Sequence, residues 1–112
     1  MGGIDINYNL NLEYDISYYI FRAADDAIDD LRDYDGILKV KYRSDYERVY
    51  VYIKPETPCG KLYRIASDVH RVFRNRGLEI APFQFEHEDT TPYFSSGEVR
   101  RNDKIDLGGK RK

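Results

Sequence analysis

Tryptophan is absent from this chain, which holds only one cysteine, one methionine and two histidines. Each scarcity excludes something. The single Cys59 rules out a disulfide within the chain and any cysteine-rich metal knuckle. No apolar run approaches the ~20 residues that a membrane-spanning helix needs. The opening Met1-Gly2-Gly3-Ile4-Asp5 has neither the basic start nor the apolar stretch of a secretion signal. Ile6 stands where a myristoylation pattern calls for serine or threonine. We therefore expect a cytoplasmic protein of a reducing compartment. With 41% hydrophobic and 34% charged residues, 112 residues read as one ordered but very polar domain with a modest core.

The hydrophobic pattern predicts the elements. Ile4, Ile6, Tyr8, Leu10 and Leu12 alternate with Asp5, Asn7, Asn9, Asn11 and Glu13, a period of two that predicts a first strand over 4–13. From Asp15 the spacing becomes helical through Ile16, Ile20, Ala23, Ala24, Ala27, Ile28 and Leu31, and Gly36 offers a stop. Leu38, Val40 and Tyr42, then Val49, Val51 and Ile53, form two alternating runs around the polar Ser44-Asp45-Tyr46-Glu47, which predicts a hairpin. Thr57 and Pro58 read as N-cap and first position of a second helix, whose stripe is Leu62, Ile65, Ala66, Val69 and Phe73. Leu78, Ile80, Phe83 and Phe85 predict a last strand with a bulge at Pro82.

The resulting order, β-α-β-β-α-β, predicts an α+β ferredoxin-like split-βαβ sandwich over residues 1–86. Its antiparallel sheet would run 4-1-3-2, with both helices on one face. The second and fourth strands would be its edges, where Lys39, Lys41 and Pro82 suit the need to block further pairing. Residues 87–112 show no clear period and are expected to be an extended or partly disordered tail, with room for an added hairpin.

The net charge of −2 conceals segregation. Glu13, Asp15, Asp25, Asp26, Asp29, Asp30, Asp33 and Asp35 face only Arg22 and Arg32 in the first helical region. The second helix carries Lys61, Arg64, Arg71, Arg74 and Arg76. Asp29, Asp30 and Asp33 crowd the carboxyl-terminal end of the first helix, where the macrodipole disfavours anions by ~0.3–1 kcal/mol each. That arrangement marks Asp25, Asp26, Asp29, Asp30 and Asp33 as a candidate docking surface.

A second candidate is the sheet face away from the helices, with Lys39, Lys41, Arg43, Arg48, Tyr50, Tyr52 and Lys54. In strand order and over Arg48–Lys54 this layout resembles the RNA-recognition motif, which stacks bases on third-strand aromatics. The resemblance implies nucleic-acid binding. It lacks that family's glycines, and it places Asn7, Asn9 and Asn11 where a first-strand aromatic would stand.

Catalytic chemistry is sparse. Cys59 lies in a helix's first turn beside Lys61, with no histidine placed near it by sequence. His70 flanks the apolar stripe, and Glu86-His87-Glu88-Asp89 alternates its ligand types between faces. An acylphosphatase-type phosphate loop is missing, since Glu13-Tyr14-Asp15-Ile16 occupies its place. Tyr14-Asp15-Ile16 resembles the strand-ending aspartate of the small nucleases of CRISPR adaptation, which implies a divalent cation at Asp15.

We expect no catalytic residues, no metal and no cofactor. The expected function is a non-catalytic protein-interaction module, docking through the acidic helix and through several of the eleven tyrosines. In composition it resembles compact inhibitor or adaptor proteins of phages and other mobile elements, some of which imitate nucleic-acid charge. That resemblance implies another protein as partner, of the nucleic-acid-binding enzyme kind. The alternative expectation is a nucleic-acid-binding domain using the basic tyrosine face. No membrane partner is expected.

Overall fold

The computed structural model describes residues 2–88 and 90–102; for the helical stretch 2–15 and for Glu88 the backbone alone is described. The order is α1 (Gly2–Asp30), β1 (Ile37–Arg43), β2 (Arg48–Ile53), α2 (Cys59–Asn75), β3 (Leu78–Ile80), β4 (Gln84–Glu88), β5 (Thr91–Ser95) and β6 (Val99–Arg101). A four-stranded antiparallel sheet runs β1-β2-β5-β4, and β3 pairs with β6 in a separate ribbon. The described residues form an α+β fold with two helices.

The strand expected over 4–13 is instead the first part of α1. Its alternating residues also stand four apart (Ile4, Tyr8, Leu12), so the same apolar set is compatible with a helix. A helix satisfies its own backbone hydrogen bonds, whereas a strand needs a neighbour. The ferredoxin-like βαββαβ order and the 4-1-3-2 arrangement therefore do not occur. The central slot beside β2 goes to β5, a segment from the expected tail, through Tyr50↔Ser95, Val51↔Phe94 and Tyr52↔Tyr93. The sheet thus runs across residue 86. Pro92 is tolerated in an inner strand because β2 pairing stops at Tyr93.

The hairpin has the expected form, with Lys39 to Arg43 paired against Tyr52 to Arg48. β1 is an edge carrying Lys39 and Lys41, and β4 is the other edge. The single last strand is divided: Leu78–Ile80 joins β6, Gln84–Glu88 joins β5, and Pro82 falls in the connection between them. Thr57 is not the cap of α2. Pro58 holds that position without a side-chain cap, and the Thr57 hydroxyl donates to the Gly36 carbonyl at 3.4 Å. Gly36 has φ +96°, and a Cβ there would meet Ile65 Cδ1 at 2.9 Å, so the turn into β1 requires glycine.

One core joins the elements. Ala23, Ala24, Ala27 and Leu31 of α1 meet Ile65, Val69 and Phe73 of α2, with Val49, Val51, Ile53 and Phe94 from one face of the large sheet. Leu78, Ile80 and Val99 bring the ribbon into the same cluster. The small alanines let α1 approach closely. Removing a side chain as deeply buried as Phe73 costs about 3–5 kcal/mol. Ser96 continues the β2–β5 pairing past the strand end: its hydroxyl accepts the Val49 N–H at 2.9 Å, and its own N–H donates to the Val49 carbonyl at 3.1 Å.

Candidate functional site

Strand alternation sorts the large sheet into two faces. Val49, Val51 and Ile53 of β2 are buried against the helices, so Arg48, Tyr50 and Tyr52 lie on the other face, half-buried. Register places Lys39, Tyr52, Tyr93 and Glu86 in one row across four strands, and Lys41, Tyr50, Ser95 and Gln84 in the next. Arg43 and Arg48 stand directly opposite each other.

The rows are in contact. The rings of Tyr52 and Tyr93 stack with centroids 5.3 Å apart, and Tyr50 lies 6.1 Å from Tyr93. The Lys39 ammonium sits 4.9 Å from the Tyr52 ring centre, a cation–π contact. Arg43 is held by Asp45 at 2.9 Å; that hydrogen bond, more than the charge itself, keeps the Asp45 carboxyl below its usual pKa. Arg48 and Lys41 have no carboxylate within ion-pair distance among the described residues. Like charges facing across a strand pair are destabilising, so Arg43 opposite Arg48 is not an arrangement that stability favours. Lys54 falls outside this surface: it follows the end of β2 and its charge acts on Asp35.

Glu86 places a carboxylate on this face, and it is engaged. The Tyr93 hydroxyl donates to one of its oxygens at 2.8 Å and the Ser95 hydroxyl to the other at 3.1 Å. Glu79 is in the separate ribbon, opposite Arg100. The sequence reading missed Tyr93, Ser95 and the role of Glu86. The signal was present in the two short extended runs that flank Glu88-Asp89-Thr90, a turn-like polar break.

The acidic helix end is built differently. Asp30 takes a two-pronged grip from Arg76, at 2.8 and 2.9 Å, and Asp29 is bound by Arg32. Arg22 donates to the Tyr18 hydroxyl at 3.2 Å; that bond and the charges of Asp26 and Asp25 hold its pKa up. Asp25 shares a shallow cleft with Phe21, Ile28, Lys41 and Tyr42. Asp35 pairs with Lys61, whose hydrogen bond lowers the carboxyl's pKa. Asp33 lies past the helix end and is exposed. Asp25, Asp26, Asp29, Asp30 and Asp33 are thus brought to one end of α1 but interleaved with Arg22, Arg32 and Arg76.

Other candidates separate. Cys59 is exposed at the start of α2, and its thiol makes no hydrogen bond among the described residues. His70 is half-buried, edge-on to Phe83 at 5.0 Å, and burial pushes its pKa down. Among the described residues, no group of three or more His, Cys, Asp or Glu is placed to hold a metal ion. The Asp15 side chain and the basic Lys110-Arg111-Lys112 lie outside what is described. No described helix is long and apolar enough to cross a membrane. No family model, curated protein or solved structure matches the chain.

Proposed function

We propose that this chain is a non-catalytic binding module whose working surface is the outer face of the large sheet, and that its ligand is single-stranded nucleic acid. One observation carries the reading: Tyr50, Tyr52 and Tyr93 form a continuous half-exposed aromatic row, bordered by Lys39, Lys41, Arg43 and Arg48. Planar rings accept any base by stacking, and cations beside them meet the phosphates. The likeness to the RNA-recognition motif now rests on this layout alone, because the first strand of that motif has no counterpart here. The overall charge of −2 does not oppose local binding, since Asp29 and Asp30 of α1 are paired with Arg32 and Arg76 and lie away from the outer sheet face.

The test is fluorescence anisotropy with an oligothymidylate of about twelve nucleotides, a length within the usual site range. Binding should weaken as salt rises, with a slope of roughly −2 to −3 in log K against log salt for three to four contacted phosphates. Duplex of the same sequence should bind more weakly. Salt-independent binding, or equal affinity for duplex, would remove the proposal.

A second reading, a protein-docking module of the inhibitor or adaptor kind, is favoured by exposed Asp33 and by the exposed rings of Tyr18, Tyr46 and Tyr63. It requires that reversing Asp25, Asp26, Asp29 and Asp30 to lysine abolish capture of a protein partner while the fold survives.

A further inference from the structure

The β4 edge of the large sheet has an apolar flank on its core side. There, a groove of about 630 Å³ lies between α2 and the β4–β5 pair. Leu62, Tyr63 and Ala66 form its helical wall, while Phe83, Phe85 and Phe94 form its floor and far wall. Phe85 is 45% exposed although it pairs with buried Phe94 on the core-facing side of the sheet. Tyr63 is 87% exposed on the helix opposite. Apolar groups turned toward a core and left half in water are unusual for a surface that works alone.

The same edge has a second unmet need. β4 bonds to β5 on one side, and no described strand lies on its other side, so alternate backbone N–H and C=O groups point outward. The natural occupant of both features is an extended peptide. Its backbone would continue the ladder, and alternate side chains would enter the groove beside Phe85.

Charge selects among peptides. From Leu78 to Glu98 there is no lysine or arginine, while Glu79, Glu86, Glu88, Asp89 and Glu98 all fall within it. Edge strands are commonly protected by lysine, and this one has none. A second copy joined β4 to β4 would bring the acids of the two edges together, which disfavours a symmetric self-pair. We infer that the β4 edge and its groove form a strand-addition site for a foreign extended peptide that alternates bulky apolar side chains, facing Phe85, with basic ones, facing Glu86. The groove lies on the core side of the sheet, opposite the proposed nucleic-acid face, and only the basic side chains of the peptide would reach round to Glu86 beside Tyr93.

The probe is a capped peptide of about seven residues alternating lysine with valine around a central phenylalanine. Titration into isotopically labelled protein should shift the amides of Gln84–Glu88 and the residues lining the groove. A peptide with glutamate replacing lysine, and one N-methylated at alternate backbone positions, should each bind at least tenfold more weakly. Ala66→Trp fills the groove from the helix side and should cause a similar loss. Phe85→Asp should do the same, with circular dichroism confirming that both variants remain folded. Equal binding of the acidic or N-methylated peptide would overturn the proposal, as would shifts confined to other surfaces. So would a concentration-dependent oligomer, seen by sedimentation and abolished by Phe85→Asp, because a second copy would then occupy the groove.

Discussion

The outer sheet face and the carboxyl-terminal end of α1 are both rich in charge, yet they use it in opposite ways. On α1, Asp29 is paired with Arg32 of the following turn, Asp25 and Asp26 act on the charge of Arg22, and Arg76, just past α2, grips Asp30 most firmly. On the sheet, Arg48 and Lys41 meet no carboxylate among the described residues, and Lys39 is spent on the Tyr52 ring. A run of like charges in a sequence therefore does not identify a docking surface. Topology decides whether opposite charges can reach it. Here α2 returns its basic end to the acidic end of α1, while on the hairpin the ion pair among the described residues is the local one of Arg43 with Asp45.

The sharpest way to break this contrast is to remove the rings. Tyr50→Ala combined with Tyr52→Ala should weaken oligothymidylate binding by roughly 10- to 100-fold or more, given ~1–3 kcal/mol per stacked base. Reversing Asp25, Asp26, Asp29 and Asp30 to lysine should not weaken it at all. Anisotropy on both variants separates the two surfaces, and equal losses would erase the distinction between them.

A smaller effect concerns the platform itself. Ser96→Ala leaves the buried Val49 N–H without its acceptor, which should cost about 1–3 kcal/mol in chemical denaturation. No aspartate-to-alanine change on α1 should match it. Asp30→Ala breaks a partly exposed pair worth only ~0–1 kcal/mol, so its denaturation midpoint should move least.

Acid supplies a further comparison. The Tyr34 hydroxyl donates to Asp68 and is the main cause that lowers this carboxyl's pKa, with Arg71 adding to it. A carboxyl lowered on folding contributes stability that is present above its unfolded pKa and lost as pH falls through the folded value. His70, lowered by burial, likewise favours the fold above its ordinary 6.5 and loses that contribution on acidification. Tyr34→Phe should therefore flatten the loss of stability below about pH 4, read by thermal melts across pH. An unchanged acid limb would show that the Tyr34–Asp68 bond carries no linkage.

The sequence made the hairpin and α2 legible because both have strong local signals. Alternation in Val49, Val51 and Ile53 fixed the two faces of β2, and hence the outward position of Tyr50 and Tyr52. The helical stripe of Ile65, Val69 and Phe73 fixed the buried side of α2. Residues 4–13 misled because spacing by two contains spacing by four. A strand over 4–13 would fill the central slot and leave Tyr93 and Ser95 in a tail. Their place follows from non-local pairing with β2, which no short window of sequence displays. The pairing of Asp30 with Arg76 was hidden for the same reason, being 46 residues apart.

The most direct measurement is an amide shift map of the labelled protein titrated with oligothymidylate. The account requires the shifts to cluster on Lys39–Arg43, Arg48–Ile53 and Tyr93–Ser95, and to fade in Tyr50→Ala/Tyr52→Ala. Shifts gathered on α2 or the end of α1, with these strands silent, would contradict it.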